Sequence, residues 1–229
     1  MAEDEDMRID VQPDGPYNVS GDVPLVRMEI VANEAGESVA WRETERLPGQ
    51  GYYQLCRCGE SKNKPYCDFT HVAIGFDGEE TAEHDLYFQT AAAIPGPGRT
   101  LHDVRKLCAE ARFCDREGGL WNLIGRCEEP ETAALVEQEA ADCPSGRYVV
   151  RGADGVAHEP DLEPSIALVE DPSLDVSGPL WVRGGIPVTS AAGERYEVRN
   201  RVTLCRCGKS KNKPFCDGSH IAAGFRDAE

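Results

Sequence analysis

The chain has 229 residues and carries 41 acidic against 24 basic side chains, which gives a formal net charge of −17. Such an acidic protein repels nucleic acid and anionic membrane surfaces, so we expect it to bind neither directly. No run of about 18 apolar residues is present, and the first residues are acidic where a signal peptide would be basic and then apolar. We therefore expect a soluble, cytoplasmic protein.

Four segments follow one another along the chain. Residues 1–13 predict a disordered acidic tail, 14–93 a first β-rich module, 99–157 a middle segment, and 165–229 a second β-rich module. Proline and glycine at 94–98, and acidic residues with prolines at 158–164, predict the linkers. Strands are predicted at 26–31, 52–55, 180–182 and 196–204, where β-branched and aromatic residues cluster.

The middle segment predicts two helices. The first covers 101–107, with Thr100 as its N-cap and Asp103 three residues later. The second covers 131–141: it follows Pro130, which suits a first helical turn, and Pro144 and Gly146 lie beyond its end.

One metal-ligand signature, C-x-C-x8-C-x3-H, occurs twice, with 149 residues between equivalent positions. Around the signatures, 55–76 and 204–225 share 16 of 22 residues. Similarity further upstream has an offset of 163, so the first copy carries a 14-residue insertion before its signature. The candidate ligands are Cys56, Cys58, Cys67 and His71 in the first copy and Cys205, Cys207, Cys216 and His220 in the second.

Three thiols and one imidazole form a complete set of four metal ligands. Cysteines one residue apart in an extended loop point the same way, and a cysteine and a histidine four residues apart lie on one face of a helical turn. Thiols in an intracellular chain stay reduced, so ligation explains these cysteines better than disulfides do. Ligation would also supply folding energy to a small module.

The two copies resemble the CDGSH iron–sulfur domain family, whose motif is three cysteines and one histidine. The second copy reads Cys-Asp-Gly-Ser-His, while the first has Phe69 in place of the glycine and keeps every ligand. The resemblance implies a [2Fe–2S] cluster in each module. Cys56 and Cys58 would hold one iron and Cys67 and His71 the other, with Cys205 and Cys207, then Cys216 and His220, in the same roles.

Members of this family often form dimers with two clusters. The resemblance therefore implies an α+β fold in which the two modules form a pseudo-dimer within one chain, and a monomer with an internal pseudo-two-fold axis. The alternative for each signature is a structural zinc site, because three cysteines and one histidine are an ordinary zinc set. Zinc sites usually separate paired cysteines by two to four residues, which favours the cluster.

Three further cysteines mark the middle segment. Cys108, Cys114 and Cys143, the last followed by proline, resemble a divergent single-cluster ferredoxin. A bacterial ferredoxin would have cysteine at Ala111, and its absence leaves three thiolates, the set that holds [3Fe–4S] in some relatives. The alternative is a ferredoxin-like segment that has lost its cluster and buries its cysteines. Cys127 does not match the family pattern.

The sequence contains no Ser/His/Asp pattern, P-loop or Gly-rich dinucleotide fingerprint, so we expect no enzyme. The leading hypothesis is single-electron transfer or redox sensing by two [2Fe–2S] clusters, with the middle segment as scaffold or third centre. Cluster transfer or storage is the alternative, followed by a zinc-stabilised interaction module. Either iron–sulfur function requires a redox or cluster-exchange protein partner, and the acidic surface favours a basic one.

Overall fold

The computed structural model describes residues 7–49 and 51–227 and shows an α+β protein. Its strands are β1 (Arg8–Val11), β2 (Tyr17–Ser20), β3 (Leu25–Ala32), β4 (Ser38–Leu47), β5 (Tyr52–Leu55), β6 (Ala92–Gly96), β7 (Arg99–Asp103), β8 (Tyr148–Gly152), β9 (Ala157–His158), β10 (Ser165–Asp171), β11 (Val176–Arg183), β12 (Val188–Thr189) and β13 (Arg201–Leu204). Its α-helices are α1 (Thr70–Ala73), α2 (Tyr87–Thr90), α3 (Leu120–Leu123), α4 (Pro130–Asp142) and α5 (Ser219–Ala222). Short 3-10 turns occupy Arg105–Leu107, Phe113–Gly118 and Ile124–Arg126.

The strands form three sheets. The first has the order β12-β1-β2-β5, the second β13-β11-β10-β3-β4, and the third β6-β7-β8-β9. The first and second sheets each contain strands from both halves of the chain, whereas the third belongs to the middle segment. The first two sheets therefore cannot be assigned to separate modules.

The two halves exchange strands across a pseudo-two-fold axis. In the first sheet β1 runs parallel to β12 and pairs Ile9 with Val188. In the second sheet β10 runs parallel to β3 and pairs Ile166 with Leu25. The remaining pairs repeat in the same way, because β2 and β5 match β11 and β13 in direction and register. The expected pseudo-dimer within one chain is confirmed as a strand-exchanged unit.

The main core lies between these two mixed sheets. It contains Ile9, Val19 and Leu55 from the first half and Ile166 and Leu204 from the second, none of which is exposed. Full burial of such a side chain contributes about 1.5–3 kcal/mol relative to leaving it in water. Because the two halves supply this core together, neither half buries its apolar residues alone.

The middle segment has its own core and packs on the outside of the second sheet. Leu101, Leu123 and Val136 fill the space between the third sheet and α4. The contact with the second sheet is aromatic: Phe113 stacks on Trp41, with 4.8 Å between ring centroids, and Trp181 belongs to the same apolar cluster. The middle segment is thereby fixed beside the second copy of the signature.

Several predicted elements are confirmed. Helix α4 matches the predicted helix at 131–141, and β3, β5 and β11 contain the strands predicted at 26–31, 52–55 and 180–182. The strand predicted at 196–204 is shorter, since only β13 forms. Among the described residues, no helix combines the length and the apolar character needed to cross a membrane.

Three predictions were wrong. Residues 8–11 of the expected disordered tail form β1, because Ile9 and Val11 are buried between the sheets; residues 1–6 of that tail lie outside the described residues. The predicted linker at 94–98 and the predicted helix at 101–107 instead form the hairpin β6-β7, followed by a short 3-10 turn. The proline and glycine of 94–98 make this hairpin turn, where Gly98 adopts a φ of +69°.

Candidate metal centres

Each signature occupies a loop that leaves the end of a strand and folds back on it. Site 1 (Cys56, Cys58, Cys67, His71) follows β5, and site 2 (Cys205, Cys207, Cys216, His220) follows β13. In site 1 the amide of Cys56 donates to Pro65 O at 2.8 Å, and in site 2 the amide of Cys205 donates to Pro214 O at 2.8 Å. The identical closure brings the chain before the third cysteine back to the first cysteine in both sites.

The donor atoms of each site come in pairs. In site 1, Cys56 Sγ lies 3.6 Å from Cys58 Sγ, and Cys67 Sγ lies 3.4 Å from His71 Nδ1. The corresponding distances in site 2 are 3.8 Å and 3.5 Å. Two ligands on one tetrahedral metal stand roughly 3.8 Å apart when each bond is about 2.3 Å. Within the described part of the chain, no three histidine, cysteine or carboxylate side chains gather at one point that would hold a single ion.

An aspartate follows the third cysteine in both sites and starts the short helix that carries the histidine. Asp68 accepts the amide of Thr70 at 3.0 Å and the amide of Lys62 at 2.8 Å. Hydrogen bonds from Thr70 and Lys62 hold the pKa of Asp68 well below its usual range. Asp217 makes the same two contacts in site 2. Each aspartate therefore closes a turn just before the short helix, whose N-cap position is Phe69 in site 1 and Gly218 in site 2.

The position between that aspartate and the helix is left-handed in both copies. Gly218 has a φ of +84°, and Phe69, which replaces it in site 1, has a φ of +66°. A left-handed residue with a side chain costs about 1–2 kcal/mol, and glycine avoids this cost. Phe69 therefore keeps the backbone course of the site but under strain, and its ring is exposed.

Sequence reasoning missed the arginine between the first two cysteines. Arg57 is 1% exposed and donates to three main-chain carbonyls: Gly15 at 2.7 Å, Gln12 at 2.9 Å and Gly78 at 2.9 Å. It ties the ligand loop to the chain before β2 and to the chain after α1. Its presence in both copies was the available signal, because Arg206 occupies the same position.

Arg206 repeats this anchor with added charge. Its guanidinium donates to Gly178 O at 2.7 Å and Val169 O at 2.8 Å, the counterparts of two carbonyls bound by Arg57. It also pairs with the carboxylates of Glu170 and Asp227. Arg57 has no carboxylate among its side-chain partners in the described residues. A buried cation therefore lies beside each thiol pair, but only the one at site 2 is paired with acid groups.

The paired thiols share protons unequally. A hydrogen bond from the partner thiol lowers the pKa of Cys58 in site 1 and of Cys205 in site 2, each to about 6. Burial raises the pKa of both Cys67 and Cys216. Ligation requires thiolates, so metal binding at these loops releases protons.

The two ligand loops touch each other at the pseudo-two-fold axis. A methyl group at Gly59 would lie 2.6 Å from Cys207 O, and one at Gly208 would lie 2.4 Å from Cys58 O. Only glycine permits this approach. Tyr17 of the first half adds a further link, since its hydroxyl donates to Cys205 O at 2.8 Å. The main chains of the two ligand loops are therefore in direct contact.

The sites differ in exposure. Cys216 and His220 are only 2% and 4% exposed, whereas Cys67 and His71 are partly exposed. Residues 81–82 cover the loop of site 2, where both amides donate to Lys213 O. Glu110 of the middle segment lies against Gly218, at the start of helix α5.

The three cysteines of the middle segment also come together. Cys108, Cys114 and Cys143 line one cavity, which also contains Ala111 and the buried ring of Tyr148. The Tyr148 hydroxyl is buried and has no hydrogen-bond partner among the described residues. These three thiols and this hydroxyl, here called the middle site, line one small cavity of about 20 Å³. Cys127 instead packs in the core beside α4.

The comparisons with known proteins agree with this geometry. The family described as iron-binding zinc finger of CDGSH type matches residues 14–72 and 177–221. The family described as divergent 4Fe-4S mono-cluster matches residues 94–152. No curated protein matches the chain.

Fold, donor sets and family matches together define an iron–sulfur protein. It is a tandem CDGSH-type chain in which two copies flank a divergent ferredoxin-like segment.

Proposed function

We propose that sites 1 and 2 each hold a [2Fe–2S] cluster through three cysteines and one histidine, and that the chain transfers single electrons. The observation that carries this proposal is the pairing of the donors. Two pairs per site, each at the spacing of two ligands on one metal, fit two irons better than a single zinc ion. Zinc would require all four donors around one point.

The residues around the sites suit a one-electron centre. A [2Fe–2S] cluster exchanges one electron, and replacing one thiolate by a neutral imidazole raises its potential above that of an all-cysteine centre. Arg57 adds a buried positive charge with no carboxylate partner near site 1, which would further favour the reduced, more negative cluster there, whereas the charge of Arg206 at site 2 is offset by Glu170 and Asp227. The contact between the ligand loops gives the two centres a short path through the protein.

The middle site is proposed as a third iron–sulfur centre. Cys108, Cys114 and Cys143 supply three thiolates, and Ala111 lies in the same cavity where a fourth would stand. We therefore propose a [3Fe–4S] cluster there. The Tyr148 hydroxyl would donate to the bound cluster, which gives this buried group the partner it lacks.

Substrate turnover forms no part of this proposal. The chain acts as an electron carrier or redox sensor for a protein partner, which its charge favours as basic. We further propose that it works in the cytoplasm as a monomer, because the strand exchange already joins the two halves.

Iron and acid-labile sulfide counts on anaerobically purified protein test these assignments. We expect about seven irons per chain, four from two [2Fe–2S] clusters and three from a [3Fe–4S] cluster. The Cys67→Ser variant should lose about two irons and Cys114→Ser about three, whereas Cys127→Ser serves as a control and should lose none. Stoichiometric zinc without sulfide would contradict the proposal.

Cluster transfer is the second candidate, and the exposure of site 1 favours it. His71 is partly exposed, so a cluster that it holds would lie within reach of an accepting partner. Mixing the loaded protein with an apo-ferredoxin tests this function. Transfer from the wild type that disappears in His71→Cys supports it, and retention of both clusters argues against it.

A further inference from the structure

Exposed apolar side chains flank the partly exposed histidine of site 1 along the chain. Phe69, Val72 and Ile74 are 63%, 71% and 49% exposed, and all three lie on or beside helix α1 with His71. Apolar side chains clustered in this way on a polar protein mark contact surfaces. Here these apolar side chains stand beside site 1, whose Cys67 and His71 are more exposed than their counterparts in site 2.

The equivalent surface of site 2 is covered in part by the chain itself, since Gly218 is buried whereas Ala223, the counterpart of Ile74, is exposed. The loop at 108–112 of the middle segment lies on it, with the Glu110 side chain so close to Gly218 that an added methyl group would be 2.4 Å from Glu110 Cγ. Arg112 of the same loop donates to the hydroxyl of Ser173 and pairs with Asp171, both at 2.9 Å. A cysteine-bearing loop thus sits over His220 and is held by a cation paired with an aspartate.

The pseudo-two-fold axis identifies the matching aspartate at site 1. Arg57 binds the carbonyl of Gln12, and Arg206 binds the carbonyl of Val169, so these two residues correspond. Asp14 follows Gln12 by two positions, as Asp171 follows Val169. Asp14 is exposed, whereas Asp171 is buried under Arg112.

We propose that Asp14, Phe69, Val72 and Ile74 form a docking face for a cationic single-electron carrier protein. The partner places its redox centre over His71 as the middle segment places its cysteine loop over His220, and it presents an arginine or lysine to Asp14. This inference rests on the proposed electron-transfer function. The net charge of −17 supports the choice of a cationic partner, since it accelerates the approach of such a protein at low salt.

Reduction of a basic cytochrome c by the dithionite-reduced protein, freed of excess dithionite and followed by stopped flow, tests the docking face. In this step the reduced cluster loses one electron and the ferric haem gains it. Val72→Ser and Ile74→Ser should each lower the second-order rate constant about three- to tenfold, because each removes apolar area from the contact. Val156→Ser is the matched control: Val156 is 58% exposed and lies in the middle segment.

The salt dependence separates the charged contact from the apolar one. Asp14→Asn keeps the acceptor for the amide of Gly78 and should lower the rate about two- to threefold at low salt, with no effect at high salt. Asp161→Asn removes the same charge from an exposed position outside the face and should have less effect.

Failure of this inference differs from failure of the proposed function. Protein without iron and sulfide would remove the function itself. Protein with full, dithionite-reducible clusters that fails to reduce cytochrome c, or whose variants and controls react at equal rates, would overturn the docking face alone. A concentration-dependent dimer that Val72→Ser abolishes would assign the face to a second copy of the chain and would also overturn it.

Discussion

Replacing Arg57 by lysine should destabilise the ligand loop of site 1 without changing any of its four candidate ligands. The guanidinium binds three buried carbonyls, and a lysine ammonium at that depth reaches one of them. A hydrogen bond from a charged group contributes about 1.5–3 kcal/mol, so the loss of two amounts to about 3–6 kcal/mol. That is a large part of the roughly 5–15 kcal/mol that stabilises a typical domain.

The effect is best measured as a rate, because cluster loss makes unfolding irreversible. Bleaching of the visible absorbance in guanidinium, under anaerobic conditions, should be accelerated at site 1, by about a hundredfold if a loss of about 3 kcal/mol, the lower end of this range, falls on the unfolding barrier. Arg206→Lys should be milder at site 2, because an ammonium there keeps its pairing with Glu170 and Asp227. Arg42→Lys, at an exposed arginine, is the control. Equal bleaching rates for Arg57→Lys and Arg42→Lys would refute the anchoring role.

Acid should bleach site 2 only at low pH, below the point at which site 1 bleaches, because ligation requires a neutral imidazole and burial lowers the pKa of His220 to about 4. His71→Cys should remove the first bleaching step, and the reverse order of the two steps would contradict this. Phe69→Gly should stabilise site 1 against guanidinium by about 1 kcal/mol through relief of left-handed strain. Gly218→Ala should destabilise site 2, since the new methyl group would lie 2.4 Å from a side chain of the middle segment; unchanged bleaching midpoints would count against both. Ala111→Cys should add a fourth thiolate to the middle site and raise the iron count by about one, with an electron paramagnetic resonance change from a [3Fe–4S] to a [4Fe–4S] signal; an unchanged iron count and signal would argue that position 111 does not face the cluster.

The candidate ligands could be grouped into two sets from the sequence because each set depends on local spacing. Three cysteines and a histidine in a fixed order fix their own loop, and the structure gives both copies the same paired geometry. Helix α4 was predictable for a similar reason, since Pro130 marks its first turn.

The features that were missed depend on distant parts of the chain. Arg57 binds main-chain carbonyls, which have no signature in sequence, so a buried anchor looks like any surface arginine. Ile9 reads as part of a polar tail until its partner Val188, far along the chain, supplies the other side of the sheet. At 94–98 the prolines and glycines indicated a linker. The flanking residues are strands instead, because Leu101 is buried in the core of the middle segment.

The exchange of strands between the halves affects the order in which the chain folds during synthesis. Strand β3 gains its parallel partner β10, and β1 its partner β12, only after the whole middle segment has been synthesised. Such non-local pairings form late and slowly, whereas the middle segment has its own core from nearby residues. The ferredoxin-like segment can therefore fold first, while the loop of site 1 waits for the C-terminal strands. During synthesis the loop of site 1 is not yet protected by the fold. We therefore expect cluster insertion at site 1 only after the chain is complete.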